Sequence, residues 1–102
     1  MAKQLRVYTV KEGQLDNWVD LFRRGTSKLR RANGFEVQAW TSRDTNQFVW
    51  LVEREGTKEE FEAADTAYYQ LPEHKPLHEE ALRYLAEGQS TVWFLEPVEE
   101  DA

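Results

Sequence analysis

The sequence contains no cysteine, and its 102 residues include only three prolines, five glycines and two histidines. The absence of cysteine excludes disulfide bonds, thiolate metal sites and a cysteine nucleophile, and it is compatible with a reducing compartment. No stretch approaches the roughly 18 consecutive apolar residues that a membrane-spanning helix requires, and the first residues lack the pattern of a signal peptide. We therefore expect a cytoplasmic protein with no membrane association.

Positive charge is also scarce, because 13 lysines and arginines face 19 acidic residues and give a net charge of −6. Binding to nucleic acid depends mainly on lysine and arginine side chains that neutralise phosphates. We therefore expect no nucleic-acid partner. One basic cluster lies in the second half of the first predicted helix and is expected to form a solvated face: Arg23, Arg24, Lys28, Arg30 and Arg31.

Apolar residues are plentiful, at 40% of the chain with 13% aromatic residues. This composition is sufficient for one domain with a small core and is too little for two independent domains. We assign residues 1–98 to the domain. Residues 99–102 form an acidic tail that is expected to be frayed.

The first half of the chain predicts a strand, a helix and a β-hairpin. Residues 4–10 are rich in β-branched and aromatic side chains, and the apolar residues from Leu15 follow helical spacing until the stop signal at Gly34. Two further β-rich segments, 35–42 and 47–54, flank a short polar joint. Such a pattern is typical of an antiparallel hairpin.

The second half predicts two helices and a last strand. Thr57 begins a capping box, which favours the start of a helix at this point, and Pro72 ends that helix. Pro76 suits the first turn of a third, short helix that is expected to stop at Gly88. If the short third helix is counted as an addition before the last strand, the β-rich segment from Ser90 completes the order strand, helix, strand, strand, helix, strand.

This order is that of a ferredoxin-like α+β fold, a four-stranded antiparallel sheet with helices on one face. The segments "FVWLV" and "VWFL" place apolar side chains on both faces of the sheet, since successive residues of a strand alternate sides. The helices of one chain cover only one face. The simplest cover for the other face is the sheet of a second copy, so we predict a homodimer.

Four segments spread from Leu5 to Val98, "LRVYTVKEGQLDNWVDLF", "NQFVWLVE", "YYQLPEH" and "WFLEPV", together resemble the NIPSNAP family of the dimeric α+β barrel superfamily. The resemblance implies a dimer whose two sheets form a barrel, with a pocket between sheet and helices in each protomer. Relatives in the superfamily include cofactor-independent oxygenases of phenols and quinols, haem-degrading enzymes, isomerases, dehydratases and cyclases. The first strand lacks the asparagine of the haem-degrading relatives, which argues against haem.

Both histidines lie in one segment, "QLPEHKPLHEE". Pro76 disfavours helical dihedral angles at the residue before it, so His74 and His78 are expected to belong to separate turns, which argues against a metal site. Either imidazole has a pKa suited to proton transfer. We predict His78, beside Leu77, as the better enclosed general base, and the segment as a mobile pocket wall. The alternative is a plain connection between helices.

Aromatic side chains with a polar tip are the other candidates, because they can both hold and orient a flat ligand. Trp18 and Trp40 are expected to serve in packing. Arg6 and Arg54 either pair with Glu36 or Glu53, or bind an enolate or a carboxylate. The predicted catalytic residues are His78, His74 and Tyr68, and the predicted substrate-binding residues are Tyr8, Trp50, Tyr69, Trp93 and Arg6.

The sequence shows no nucleophile motif and no phosphate-binding glycine loop. We therefore predict an enzyme without a bound cofactor or metal, of the oxygenase, isomerase or cyclase type. Its substrate is expected to be an apolar aromatic or polyketide-like molecule. The alternative is a non-catalytic ligand-binding or scaffold domain.

Overall fold

The computed structural model describes residues 1–100, so the last two residues of the predicted acidic tail lie outside the described part. Four strands and four helices follow one another in the order β1 (Ala2–Val10), α1 (Leu15–Leu21), α2 (Ser27–Ala32), β2 (Glu36–Ser42), β3 (Gln47–Arg54), α3 (Lys58–Tyr69), α4 (His74–Ala81) and β4 (Leu85–Leu95). A π-helical turn, Phe22–Thr26, joins α1 directly to α2.

The strands form one antiparallel sheet in the order β2-β3-β1-β4. This order confirms the predicted ferredoxin-like fold. The core lies between the helices and one face of the sheet, where Trp50, Val52 and Phe61 have at most 1% of their surface exposed. Within residues 1–100, no helix has the length and apolar character needed to cross a bilayer.

The opposite face of the sheet carries a second set of apolar side chains, as the strand patterns predict. Leu5 pairs with both Leu51 and Trp93, and Val7 pairs with Val49, so their side chains share this face. No element of residues 1–100 covers it, and Trp93 is half exposed there. We call this surface the outer face of the sheet.

The π-helical turn changes which residues of the first helix face the core. Three turns of an α-helix take about 11 residues, so Leu29 should share the face of Trp18. The extra residue of a π-turn advances this register by one, and Arg30 takes the inward position instead. The prediction that Arg30 belongs to a solvated basic face is therefore wrong, since only 1% of its surface is exposed.

Helix α4 also differs from the prediction. It begins at His74, so Pro76 is its third residue, and it ends at Ala81. The first four N–H groups of a helix have no partner within it, so a proline in this turn removes no hydrogen bond. The chain enters β4 at Leu85, which pairs with Val10, and the predicted helix as far as Gly88 is therefore too long.

The predicted capping box at the start of α3 is confirmed. The backbone N–H of Glu60 donates to the Thr57 hydroxyl at 3.1 Å, and the Thr57 N–H donates to the Glu60 carboxylate at 3.2 Å. We expect Thr57→Ala to lower the free energy of unfolding by about 1 kcal/mol, because one helix donor loses its acceptor. Thr57→Ser keeps the hydroxyl and should retain most of the stability in urea denaturation followed by circular dichroism. Equal losses in the two variants would contradict the role of the hydroxyl.

Candidate functional site

A cavity of about 500 Å³ lies between the helix-facing side of β1, β3 and β4 and the helices above it. Its wall is largely aromatic, and it lies where the resemblance implied a pocket. Seven of the eight predicted site residues line this cavity: Arg6, Tyr8, Trp50, Tyr68, Tyr69, His74 and His78.

Trp93 is the predicted site residue that the structure does not bring to the cavity. It pairs with Leu5 on the outer face of the sheet, while its neighbour Val92 pairs with Arg6 and lines the cavity. The alternation of side chains along β4 therefore separates the two residues. The sequence did not reveal which face of β4 is turned toward the helices.

The base of the cavity holds two buried arginines together with a partly buried acid and an exposed tyrosine. We call this set the arginine cluster: Arg6, Arg30, Asp65 and Tyr69. One Nη of Arg6 contacts both oxygens of Asp65 at 3.1 and 3.2 Å, and one Nη of Arg30 donates to Asp65 Oδ1 at 2.6 Å. The other Nη atoms donate to the Tyr69 hydroxyl, at 2.6 Å from Arg6 and 3.2 Å from Arg30. Two guanidinium groups thus share one carboxylate.

Surrounding groups hold both guanidiniums in place. The Nε of Arg6 donates to the side-chain oxygen of Gln4 at 2.6 Å. Arg30 lies with its Cζ 3.8 Å from the ring centre of Tyr68 and 4.8 Å from that of Phe35, within the range of cation–π attraction. Burial opposes the charge of Arg6, but Tyr8, Tyr69 and Asp65 more than offset it and hold the pKa of Arg6 above its ordinary value.

The partners expected for the strand arginines are wrong. Arg6 pairs with Asp65 rather than with Glu36 or Glu53, and Arg54 donates to the backbone carbonyl of Asn33 at 2.6 Å. Sequence reasoning missed Arg30 and Asp65. Asp65 could have been recognised from the sequence, because it lies four residues after Phe61 and therefore on the inward face of α3. Acidic side chains are rarely buried without a cationic partner, so an acid at this position indicates a buried cation.

The cavity holds two tyrosines as neutral phenols at neutral pH. Burial raises the pKa of Tyr8 above its ordinary value, although nearby Arg6 opposes the effect. Burial also raises the pKa of Tyr68, against the opposing charge of Arg30. Each hydroxyl therefore keeps its proton and can donate a hydrogen bond.

Both histidines lie on α4, one turn apart, so the prediction that Pro76 separates them is wrong. Their rings stack with centres 5.7 Å apart, and the ring of His74 is roughly perpendicular to those of Tyr68 and Tyr69, with centres 5.1 and 5.0 Å away. His74 is partly buried and His78 is exposed, which reverses the expected order of enclosure. Among residues 1–100, no group of three or more potential ligand side chains has the arrangement of a metal site.

The environment of His74 favours its neutral form. Partial burial lowers its pKa below the ordinary value, and the positive charges of His78 and Arg30 lower it further. The imidazole of His74 is therefore neutral at neutral pH. In this state its ring accepts a proton rather than donating one.

Known structures share this arrangement of strands and helices. A NIPSNAP domain protein from Burkholderia xenovorans superposes with a TM-score of 0.82 at 15% sequence identity, over 96% of this chain and 95% of that chain. A NIPSNAP family protein from Agrobacterium tumefaciens gives a TM-score of 0.81 at 9% identity, over 96% of this chain and 93% of that one. The chain shares the ferredoxin-like fold of these two NIPSNAP proteins.

An enzyme structure is also similar. A protein described as an antibiotic biosynthesis monooxygenase superposes with a TM-score of 0.73 at 16% identity, over 97% of this chain and all of that chain. No family model and no curated protein matches the sequence. At these identities the similarity shows the fold alone, and any activity depends on the chemistry of the cavity.

Proposed function

We propose that this protein is an enzyme that acts on a small aromatic or polyketide-like substrate by proton transfer, without a bound cofactor. The observation that supports it is the position of His74, a partly buried imidazole with a lowered pKa at the wall of an aromatic cavity. General bases are most effective when their pKa lies near the working pH, and a pKa that is not above it keeps the neutral form populated.

The proposed step needs only groups of this chain and of the substrate. Neutral His74 accepts a proton from a hydroxyl group or from an acidic ring carbon and becomes an imidazolium. The electron pair stays on the substrate as a phenolate or enolate, whose oxygen can accept a hydrogen bond from the protonated Tyr68. Tyr8 provides aromatic surface for the ring, supported from behind by buried Trp50, and exposed His78 is assigned a lesser role.

This anion is the common starting point of the three reaction types that the resemblance implies. It can be reprotonated elsewhere in an isomerisation, or it can attack a carbonyl within the same molecule in a cyclisation. With molecular oxygen as the second substrate, a phenol and O₂ give a quinone and water. The fold similarity to a structure described as a monooxygenase favours the third reaction by analogy alone.

A fluorescence screen of hydroxylated aromatic compounds tests the proposal without presuming a reaction. Trp18 and Trp50 line the cavity, whereas Trp40 is half exposed on the sheet and Trp93 lies on the outer face. A variant with Trp40 and Trp93 both changed to Phe should keep the ligand-induced change in emission. Compounds that bind are then followed for O₂ consumption and for a change in absorbance.

The alternative is a domain that binds such a ligand without converting it. The same screen separates the two functions, because a binding domain gives saturable quenching with no turnover of any bound compound. If the protein binds none of the phenols, quinols or enolisable ring compounds, neither the enzyme nor the ligand-binding function is supported.

We also propose that the chain forms a homodimer through the outer face of its sheet. Trp40 and Trp93 are 52% and 50% exposed there, and Leu95 is 39% exposed, so a large apolar surface would otherwise remain in water. Obligate interfaces of this kind commonly bury more than about 2,000 Å².

The homodimer predicts that Trp93→Glu shifts the protein toward a monomer, because a carboxylate would be buried without a partner at the interface. Sedimentation velocity at micromolar concentration measures the shift. Val98→Glu is a matched control, because it adds the same charge at a residue that is 86% exposed beyond the end of β4. A wild-type protein that sediments as a monomer contradicts the proposal.

A further inference from the structure

The arginine cluster carries one positive charge more than its own acid can neutralise. Arg6 and Arg30 each contact Asp65, and the other oxygen that both contact belongs to a tyrosine. The side chains of Arg6 and Arg30 are only 4% and 1% exposed, so water gives this charge little screening. A buried charge without a partner is costly, and an incoming anion would reduce the cost.

Several buried hydrogen-bond donors beside the cavity have no acceptor within the part of the chain that the structure describes. The Nε of Arg30 and the indole N–H groups of Trp18 and Trp50 are buried and have no acceptor among residues 1–100. Both hydrogen bonds of the Tyr69 oxygen in this part of the chain use it as an acceptor, which leaves its own hydrogen available to donate. A ligand that complements these groups therefore supplies hydrogen-bond acceptors rather than donors.

We propose that the substrate carries a carboxylate, which lies against the arginine cluster and orients the aromatic part of the molecule toward His74. This inference rests on the proposed function and narrows its substrate class. A carboxylate matches the planar fork of a guanidinium, and its single charge matches the one charge that Asp65 leaves uncompensated. Glu87 also lines the cavity, but it is exposed on β4, where water and salt screen its charge.

Two flat probes of nearly equal shape test the charge preference. Isothermal titration calorimetry compares 2-naphthoate with 2-naphthamide, in which a neutral amide replaces the carboxylate. We expect the carboxylate to bind at least about ten times more tightly, since charge-assisted hydrogen bonds are stronger than neutral ones.

Arg6→Gln tests whether the preference comes from the cluster. This change leaves Arg30 and Asp65 as a neutral pair, so the ratio of the two affinities should fall toward one while the amide binds as before. Lys3→Gln is the matched control, because it removes the same charge from the same strand at a residue that pairs with Glu53. The control should keep the wild-type ratio.

A measurement on the unmodified protein covers the case in which Arg6→Gln does not fold. The side-chain N–H signals of Arg6 and Arg30 are followed by two-dimensional NMR during titration with each probe. We expect 2-naphthoate to move the signal of the Arg30 Nε–H, which lacks an acceptor in the described part of the chain, while 2-naphthamide leaves it nearly unchanged.

Each outcome decides the inference. A preference for naphthoate that Arg6→Gln abolishes, and that is accompanied by the shift of the arginine signal, supports it. Equal affinities of the two probes overturn it and leave the proposed function standing, since an aromatic ligand still binds. A preference that persists in Arg6→Gln, or that is lost equally in Arg6→Gln and Lys3→Gln, overturns it as a general charge effect. Failure of both probes to bind also overturns the inference, while the fluorescence screen of hydroxylated aromatic compounds decides the proposed function separately.

Discussion

Replacing Asp65 with alanine is expected to lower the free energy of unfolding by about 3–5 kcal/mol, because it leaves two buried guanidinium groups facing each other without their shared acid. Asp65 contacts Arg6 at 3.1 Å and Arg30 at 2.6 Å. Neither arginine can move its charge into water without disrupting the core. A domain of this size has about 5–15 kcal/mol of stability in total, so a large share would be lost.

Urea denaturation monitored by circular dichroism measures this loss. Glu62→Ala is the matched control on the same helix, because Glu62 pairs with Lys58 at 3.9 Å and both side chains are more than half exposed. The control should change stability by less than about 0.5 kcal/mol. If Asp65→Ala costs no more than the control, the arginine cluster does not stabilise the fold in the way that its geometry indicates.

Replacing His74 with alanine is expected to lower turnover of a substrate found by the screen by about 10² or more, because the general base is removed. His78→Ala should have a much smaller effect. The sequence favoured the opposite order, but His74 is the imidazole that contacts Tyr68 and Tyr69, whereas His78 is exposed. Stability should fall by less than about 1 kcal/mol, since His74 is only partly buried.

Steady-state kinetics of the two folded variants measure the difference. A His74→Ala protein that keeps full turnover and a native circular dichroism spectrum contradicts the catalytic role. A His78→Ala protein with the larger loss restores the order that the sequence suggested.

The pH dependence provides a further check on His74. Its folded-state pKa is lowered, so kcat/KM should stay constant through neutral pH and fall only at pH values below the ordinary imidazole value of 6.5. The free energy of unfolding should also decrease as the pH falls. The unfolded chain binds a proton at His74 before the folded chain does, so a fall in pH through 6.5 favours unfolding. A decline in kcat/KM that begins above pH 6.5 would show that His74 is not the group that titrates.

Much of the candidate site was predicted from residue type alone. Tyrosine, tryptophan, histidine and arginine in a small apolar domain favour a ligand cavity, and seven of the eight residues proposed on that ground line one. The sequence did not predict that Trp93 lies away from the cavity, because alternation along a strand fixes which residues share a face and does not tell which face meets the helices. The prediction that Arg30 is exposed to solvent was wrong because it assumed an uninterrupted α-helix.

Local patterns along the chain were sufficient to predict the order of strands and helices, the hairpin, the capping box and the apolar character of both sheet faces. These features depend on local spacing, turn chemistry and side-chain type, which the linear pattern contains. The arginine cluster and the ranking of the histidines, by contrast, could not be predicted before the packing of the elements was known. The one-residue advance at the π-helical turn rotates Arg30 inward, and packing of α3 then brings Asp65 to it from 35 positions away in the chain. Burial of this kind depends on how the elements pack together, and local sequence patterns do not contain that information.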